Sequence, residues 1–318
     1  MRPPINIGCR ILHPEHETMS GIIQCVPNFS EGRNRAVVES IVDAAKNAST
    51  ADIIDYSSDS DHNRSVVTFL GTPDAIADAV FAAAECAVEK IDLTLHDGAH
   101  PRVGAIDVIP LVPIADISME ECVELSYRIG NGIGGKLKLP VYYYEESALL
   151  SHRAKLADIR RGGFEGLCSC GISGDRAPDA GPQEIHPTAG VVVVGARGPL
   201  IAYNINLLTT DLEAARIIVG RIRSGEAGFT GVKSMAVWLA SRSMVQVSMN
   251  ITCPNITGIG DVFRYVSEEA QALGIEVAES EIIGAVRKHQ LEGTSPEELK
   301  SVGFKDSQVI DNWIKYPC

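Results

Sequence analysis

The sequence predicts an α+β protein made of two ferredoxin-like βαββαβ subdomains, each a four-stranded, mainly antiparallel sheet with helices on one face. Three observations lead to this prediction. Strand-like and helix-like segments follow one another in the order βαββαβ between residues 22 and 112. The same order returns between residues 200 and 278. Between the two units, residues 162–190 are rich in Gly, Pro, Ser and Asp and lack periodicity.

Short apolar runs and helical periodicity define the elements of the first unit. Its predicted strands are Ile22–Val26, Asp52–Tyr56, Ser65–Leu70 and Ala105–Val112. Its predicted helices run from about Arg33 to Ala48, and from Thr72-Pro73, where proline suits a first turn, to about Glu89. The predicted extension of this subdomain comprises a helix at Ser118–Ile129, a strand at Val141–Tyr144, a helix near Arg153–Arg160, a loop at Gly162–Gly190 and a buried strand at Gly190–Gly195.

The second unit repeats the pattern and ends in a short helical tail. Its predicted strands are Leu200–Leu207, Ser234–Leu239, Val245–Ile251 and Ile275–Ala278, and its predicted helices are Thr210–Ser224 and Gly260–Leu273. The tail, Ser295–Trp313, is expected to form short helices, the first capped by Thr294 or Ser295. We therefore divide the chain into an N-terminal arm (1–20), an N-terminal subdomain (21–197) and a C-terminal subdomain (198–318).

Composition narrows the class of protein. The chain has 318 residues, 45% of them hydrophobic, which is enough for two domains with full cores. No apolar run approaches the roughly 20 residues of a membrane span, and residues 1–20 lack an export signal, so we expect a cytoplasmic protein. The eight cysteines are scattered and predict free thiols. A net charge of -13 disfavours binding to nucleic acid or to anionic membranes, so an anionic ligand requires a local basic pocket.

The segment HDGAHPRVGAID, residues 96–107, concentrates residues capable of proton transfer. Histidine accepts and donates protons near neutral pH, and Pro101 and Gly104 restrain the backbone beside an apolar strand. The alternative is that His96 and His100 are structural. A metal site is disfavoured because Gly98 and Pro101 break the helix that would place the two histidines together.

Two other loops carry weaker signals. SSDSDHNRS (57–65) reads as a turn between strands, although Arg64 at the strand entrance is unusual there. VPNFSEGRN (26–34) precedes a helix N-terminus, which can bind a carboxylate or phosphate. The glycine-rich segments GNGIGG (130–135) and GARGP (195–199) do not match nucleotide-binding motifs.

Taken together, several motifs strongly resemble the glutamate formimidoyltransferase family, which uses folate in histidine degradation and one-carbon metabolism. The resemblance runs in order from about residue 22 to residue 285. It is carried by CVPNFSEGRN (25–34), DHNRSVVTFLG (61–71), DGAHPRVGAIDVIPLVPI (97–114), ADIRRGGFEGL (157–167), GPQEIHPTAG (181–190), GARGPLIAYNINL (195–207) and QVSMN (246–250). It implies two ferredoxin-like subdomains, a homodimer, and transfer of a formimidoyl group between N5 of tetrahydrofolate and the amino group of L-glutamate.

The resemblance also implies roles for particular residues. The family's catalytic histidine corresponds to His100, and we add Asp107 or His96 as the group that orients its imidazole. The folate-binding segment corresponds to Gly181, Pro182, Gln183, Glu184, Ile185, His186, Pro187, Thr188, Ala189 and Gly190. Two arginines, Arg64 and Arg102, are expected to bind substrate carboxylates because a guanidinium pairs with a carboxylate through two hydrogen bonds. Polar groups from both halves are expected in the binding site: Asn28, Asn63, Asn204 and Gln246.

Alternatives remain open at this stage. Some relatives handle a formyl group, so 5-formyltetrahydrofolate is an alternative donor. The chain could instead be a non-catalytic folate or amino-acid binding module, or a metal-assisted amidohydrolase using His62, His96 and His100. We expect tetrahydrofolate as co-substrate and no metal. Because bifunctional relatives continue into a cyclodeaminase domain, we expect that second activity, if needed, to come from a separate protein.

Overall fold

A computed structural model describes residues 21–314, and the predicted N-terminal arm lies outside this range. The first unit contains β1 (Ile22–Cys25), β2 (Asn28–Phe29), α1 (Arg35–Ala48), β3 (Asp52–Asp59), β4 (Arg64–Gly71), α2 (Pro73–Lys90), β5 (Ile106–Ala115), α3 (Met119–Lys136), β6 (Val141–Tyr143), α4 (Leu156–Ile159), α5 (Gly163–Cys170) and β7 (Val192–Ala196). The second contains β8 (Ile201–Leu207), α6 (Leu212–Ser224), β9 (Val232–Leu239), β10 (Met244–Ile251), α7 (Ile259–Ala272) and β11 (Val277–Ile283).

The predicted pair of ferredoxin-like units is confirmed by the strand order. In the first sheet β1 lies between β4 and β5, and β3 pairs with β4, all antiparallel. In the second sheet the order is β11-β8-β10-β9, again antiparallel. In both units the first strand therefore lies between the third and the fourth, and the second strand is at an edge. Each sheet packs its own helices on one face, α1, α2 and α3 on the first and α6 and α7 on the second.

The first sheet has seven strands, not the predicted four. Strand β7 pairs with β5 in parallel, and β6 pairs with β7 in parallel. The run Val191–Val194 is buried on both faces: Val192 and Val194 contact the helices, and Val191 and Val193 contact a smaller core that includes Leu167 and Ile172. A continuous apolar run is typical of a parallel strand covered on both sides.

Several predicted boundaries in the extension were wrong. Helix α3 continues through GNGIGG to Lys136 because its glycines allow close packing. A Cβ at Gly130 would lie 2.6 Å from the Tyr143 ring, and one at Gly134 would lie 2.8 Å from Gly181. The helix predicted at 153–160 is only a 3-10 turn and the single turn α4. The predicted loop 162–190 instead contains α5.

The C-terminal tail forms turns and connects the two units. Ser295 caps one turn through reciprocal bonds with Glu298, and the later turns are 3-10 helices at Asp306–Gln308 and Ile310–Asn312. Ile310 packs with Ile54 of the first sheet in a small apolar cluster. This contact helps to hold the open faces of the two sheets opposite each other. The free cysteines within residues 21–314 are Cys25, Cys86, Cys122, Cys168, Cys170 and Cys253.

Candidate active site

The site is a cleft with a cavity volume of about 320 Å³ between the open faces of the two sheets. The first sheet contributes Asn28 of β2, Arg64 of β4 and Val108 of β5. The second contributes Asn204 of β8 and Ser248 of β10, which are register partners. Side chains alternate between the two faces of a strand, and the helices cover one face of each sheet. The residues named above lie on the other face and therefore line the cleft.

The cleft concentrates positive charge in a protein whose net charge is -13. Five cationic side chains line it, and no Asp or Glu does so among the described residues. The cations are Arg64, Arg160, Arg197, Arg223 and Lys233. This is the local basic pocket that an anionic ligand requires. Sequence reasoning assigned only Arg64 to substrate, because nothing local distinguishes the other four from solvated surface cations.

His100 lies at this cleft in a neutral state. Its Nε2 is 2.6 Å from Nη1 of Arg64, and arginine can only donate a hydrogen bond, so Nε2 accepts. Burial lowers the pKa of His100 well below its usual value, and the positive charges of Arg64 and Arg160 and the neighbouring His62 lower it further. The imidazole can therefore take up a proton, as a general base must.

Neither residue predicted to orient His100 is hydrogen-bonded to it. Asp107 is buried, accepts the Val103 N–H at 2.7 Å and pairs with Arg160. The Nε2 of His96 is 2.8 Å from the carbonyl oxygen of Asn63. The hydrogen bond to the imidazole comes from Arg64 instead, and Asp107 pairs with Arg160, which also lines the cleft.

Two predicted substrate-binding residues hold loops together in this structure. The Arg102 guanidinium binds Glu165 through two hydrogen bonds, of 2.7 and 3.2 Å, and donates to the His96 carbonyl. The Asn63 amide accepts from the Gly32 N–H at 3.0 Å and donates to the Asp97 carbonyl at 2.9 Å. Both residues line a small cavity around His100, and neither lines the main cleft.

The other predicted polar residues differ in position. Asn28 and Asn204 line the cleft. Gln246 shares the open face with Ser248 but lies beyond the cleft, where its Nε2 donates to Asn206 at 2.9 Å. Its Oε1 is buried without a hydrogen-bond partner among the described residues.

The segment 181–190 supports the loop that carries His100. The Thr188 and Ala189 carbonyls accept from Leu93 and Ala105, at 2.8 and 2.9 Å. Gly190 has a φ of +70° and approaches the Val103 carbonyl so closely that a side chain would overlap it. None of its ten residues lines the cleft. Folate binding by this segment stays a prediction from the resemblance.

Comparison with known proteins identifies the family. Residues 22–197 match the formiminotransferase domain, N-terminal subdomain, and residues 202–295 match the formiminotransferase domain. The chain belongs to the formiminotransferase family. It is 44% identical over 297 residues to a glutamate formimidoyltransferase from Streptococcus pyogenes, covering 93% of this chain and 99% of the relative. It is 41% identical over 292 residues to the glutamate formimidoyltransferase of Thermoplasma acidophilum, covering 91% and 96%.

A longer relative shows a different organisation within the formiminotransferase family. The formimidoyltransferase-cyclodeaminase of Sus scrofa is 36% identical over 273 residues, which is 84% of this chain but 50% of that protein. Within residues 21–314 no helix is long and apolar enough to cross a membrane. The same range contains no group of three or more His, Cys, Asp or Glu side chains arranged to hold a metal ion.

Proposed function

We propose that this chain is a folate-dependent glutamate formimidoyltransferase that transfers the group between N5 of tetrahydrofolate and the amino group of L-glutamate. The observation that carries the proposal is the cleft itself, in which neutral His100 lies among five cations and no described carboxylate. Both substrates are carboxylates, and guanidinium groups bind carboxylates through paired hydrogen bonds. Family membership supports the reaction class.

His100 moves the proton that the reaction displaces. When the glutamate amine attacks the formimidoyl carbon, a C–N bond forms and the amine becomes acidic. His100 accepts one amine proton and returns it to N5 as the bond between N5 and the carbon breaks. The reverse transfer follows the same path. A positioned general acid–base of this kind contributes typically about 10²- to 10⁴-fold to the rate.

Arg64 prepares His100 for this role. Its hydrogen bond to Nε2 holds the imidazole neutral while the site is empty of substrate. A substrate carboxylate that binds Arg64 competes for the guanidinium and exposes the Nε2 lone pair to the reacting amine. The ion pair between Asp107 and Arg160 keeps the Arg160 guanidinium beside Arg64 and His100.

The folate fits the mixed lining of the cleft. Val66 and Pro110 offer apolar surface for a flat ring system, while Arg197 and Lys233 offer charge for its carboxylate tail. We propose tetrahydrofolate as co-substrate. The homodimer, the subdomain boundaries at residues 20 and 197, a cytoplasmic location and a separate cyclodeaminase protein stay predictions.

The test is a turnover assay with purified protein. We expect consumption of 5-formimidoyltetrahydrofolate on addition of glutamate, a loss of about 10²-fold or more in His100→Ala, and little change in folate affinity. 5-Formyltetrahydrofolate is run as the parallel donor. Reaction with the formyl donor alone would assign formyl transfer, and folate binding without turnover of either donor would favour a binding module. Retained activity after chelation would exclude the metal-dependent amidohydrolase.

A further inference from the structure

A second cavity, with a volume of about 470 Å³, adjoins the cleft and differs from it in the charge of its lining residues. The two share Arg64 and Asn204, so a ligand that reaches Arg64 can extend into either. The cleft has no described carboxylate, whereas the second cavity is lined by three, Asp55, Asp59 and Glu281. On one side of Arg64, the charged residues lining the cleft are therefore all cations. On the other side, the second cavity is lined by both cations and carboxylates.

The three carboxylates differ in the ion pairs and hydrogen bonds that they already make. Asp55 pairs with Lys305 at 3.3 Å. Asp59 accepts the backbone N–H of His62 at 2.7 Å. The nearest cation to Glu281 is Arg242, at 3.5 Å, and the same guanidinium makes a closer pair with Glu279. Within residues 21–314, neither Asp59 nor Glu281 thus has a close cation, and because the Asp59 carboxylate already accepts a backbone N–H, Glu281 is the more available of the two to a cationic ligand group.

Strand register directs Glu281 into this cavity. It is paired with Asn204 on β8, and Asn204 lies opposite Ser248 on β10, so all three lie on the open face of the second sheet. Burial, followed by the negative charges of Asp59 and Glu279, raises the pKa of Glu281. A cationic ligand group at this position would relieve that repulsion.

A buried histidine independently indicates a ligand. His62 lines the same cavity and is 4% exposed, yet its Nε2 has no hydrogen-bond partner within residues 21–314. Unpartnered buried polar atoms are rare because desolvation without a hydrogen bond is costly. The His62 ring lies 6.0 Å from the ring of His100, measured between ring centroids, so the two imidazoles are neighbours.

We propose that Glu281 binds the amino group of the amino-acid substrate in this cavity and so determines selection of an amino acid over a plain dicarboxylate. The inference rests on the proposed function for the identity of the substrate. Arg64, at the junction, takes a carboxylate of the same molecule, and the amino group then lies between Glu281 and His100. The folate occupies the cationic cleft on the other side of Arg64.

The test compares glutamate with glutarate, which has the same two carboxylates but no amino group. Binding of each is measured with tetrahydrofolate present, for the wild type and for Glu281→Gln. We expect glutamate affinity to fall roughly 10- to 100-fold, as for loss of a charge-assisted hydrogen bond, while glutarate affinity stays within about threefold. The matched control is Glu276→Gln, which removes a carboxylate immediately before the same strand that, among the described residues, pairs only with Lys300, at 4.0 Å, and lines neither cavity, and it should leave the ratio of the two affinities unchanged.

A further variant separates recognition from misfolding. Glu281→Asp keeps the charge and should bind glutamate more tightly than Glu281→Gln. Equal loss for glutamate and glutarate, or an equal effect of Glu276→Gln, would overturn the assignment. If wild-type protein shows no turnover but still discriminates glutamate from glutarate through Glu281, the proposed reaction fails and the amino-group site stands.

Discussion

The hydrogen bond between Arg64 and His100 leads to a quantitative prediction for the pH dependence of kcat/KM. Arg64→Met retains much of the side-chain volume but removes the charge 2.6 Å from Nε2. Burial lowers the pKa of Arg64 itself to about 10, so the guanidinium is charged throughout the working range. Protonation of His100 in the wild type therefore creates two adjacent positive charges, and the variant removes this repulsion.

The magnitude follows from Coulomb's law. Two unit charges roughly 4 Å apart repel by about 4 kcal/mol at an effective dielectric constant near 20. Since about 1.4 kcal/mol corresponds to one pH unit, even a third of that repulsion moves a titration by one unit. The acid limb of kcat/KM, which follows protonation of His100, should therefore move to higher pH by at least about one unit in Arg64→Met. In this variant burial, Arg160 and His62 still lower the pKa of His100, so the pKa stays partly depressed.

The assay is the pH profile of kcat/KM, paired with the NMR titration of the His100 ring, assigned through a His100→Gln variant. Arg197→Met is the matched control, because it removes an arginine from the same cleft that is not among the groups acting on the pKa of His100. We expect that control to raise KM without moving the acid limb. An unchanged acid limb in Arg64→Met, or an equal movement in Arg197→Met, would refute the electrostatic argument.

Two predictions concern stability. Burial lowers the pKa values of His62, His96 and His100, so the unfolded chain binds protons first as the pH falls below about 6.5. The free energy of unfolding should therefore fall by up to about 2 kcal/mol between pH 7.5 and 6.0, and urea midpoints that stay level or rise would contradict this. A Cβ at Gly98 would overlap the His62 carbonyl, so Gly98→Ala should cost about 1 to 3 kcal/mol and reduce turnover. Gly132→Ala, on a helix with nothing within 4 Å, should be neutral or stabilising by up to about 1 kcal/mol, and equal denaturation midpoints for the two variants would refute the packing explanation.

Sequence reasoning predicted the elements that depend on local patterns. Alternating apolar residues locate strands such as β10, and helical periodicity locates α1 with its end at Ala48 and its start within two residues. The doubled order βαββαβ is enough to predict the position of each strand within its unit. These predictions hold because burial of one face imposes a short-range repeat on the sequence.

Features set by tertiary contacts were not predictable in this way. The glycines of α3 resemble a loop until Tyr143 and Gly181 are seen to pack against them. The parallel addition of β7 to β5 joins residues about 85 positions apart, with no local signal for the pairing. The cations of the cleft come from several segments, and an arginine on a cleft has the same local sequence as one on the surface.

The duplication itself explains where the site forms. The turn between the second and third strands of each unit meets its counterpart: both carboxylate oxygens of Asp61 accept hydrogen bonds from Ser241, from its N–H at 3.0 Å and its hydroxyl at 2.6 Å. The Asp61 carbonyl also accepts from the N–H of Ala99, next to His100, at 3.1 Å. A single residue thus connects the second unit to the loop that carries the proposed general base. Two repeats that bring equivalent turns together therefore place His100 where both sheets can contribute side chains to the same ligand.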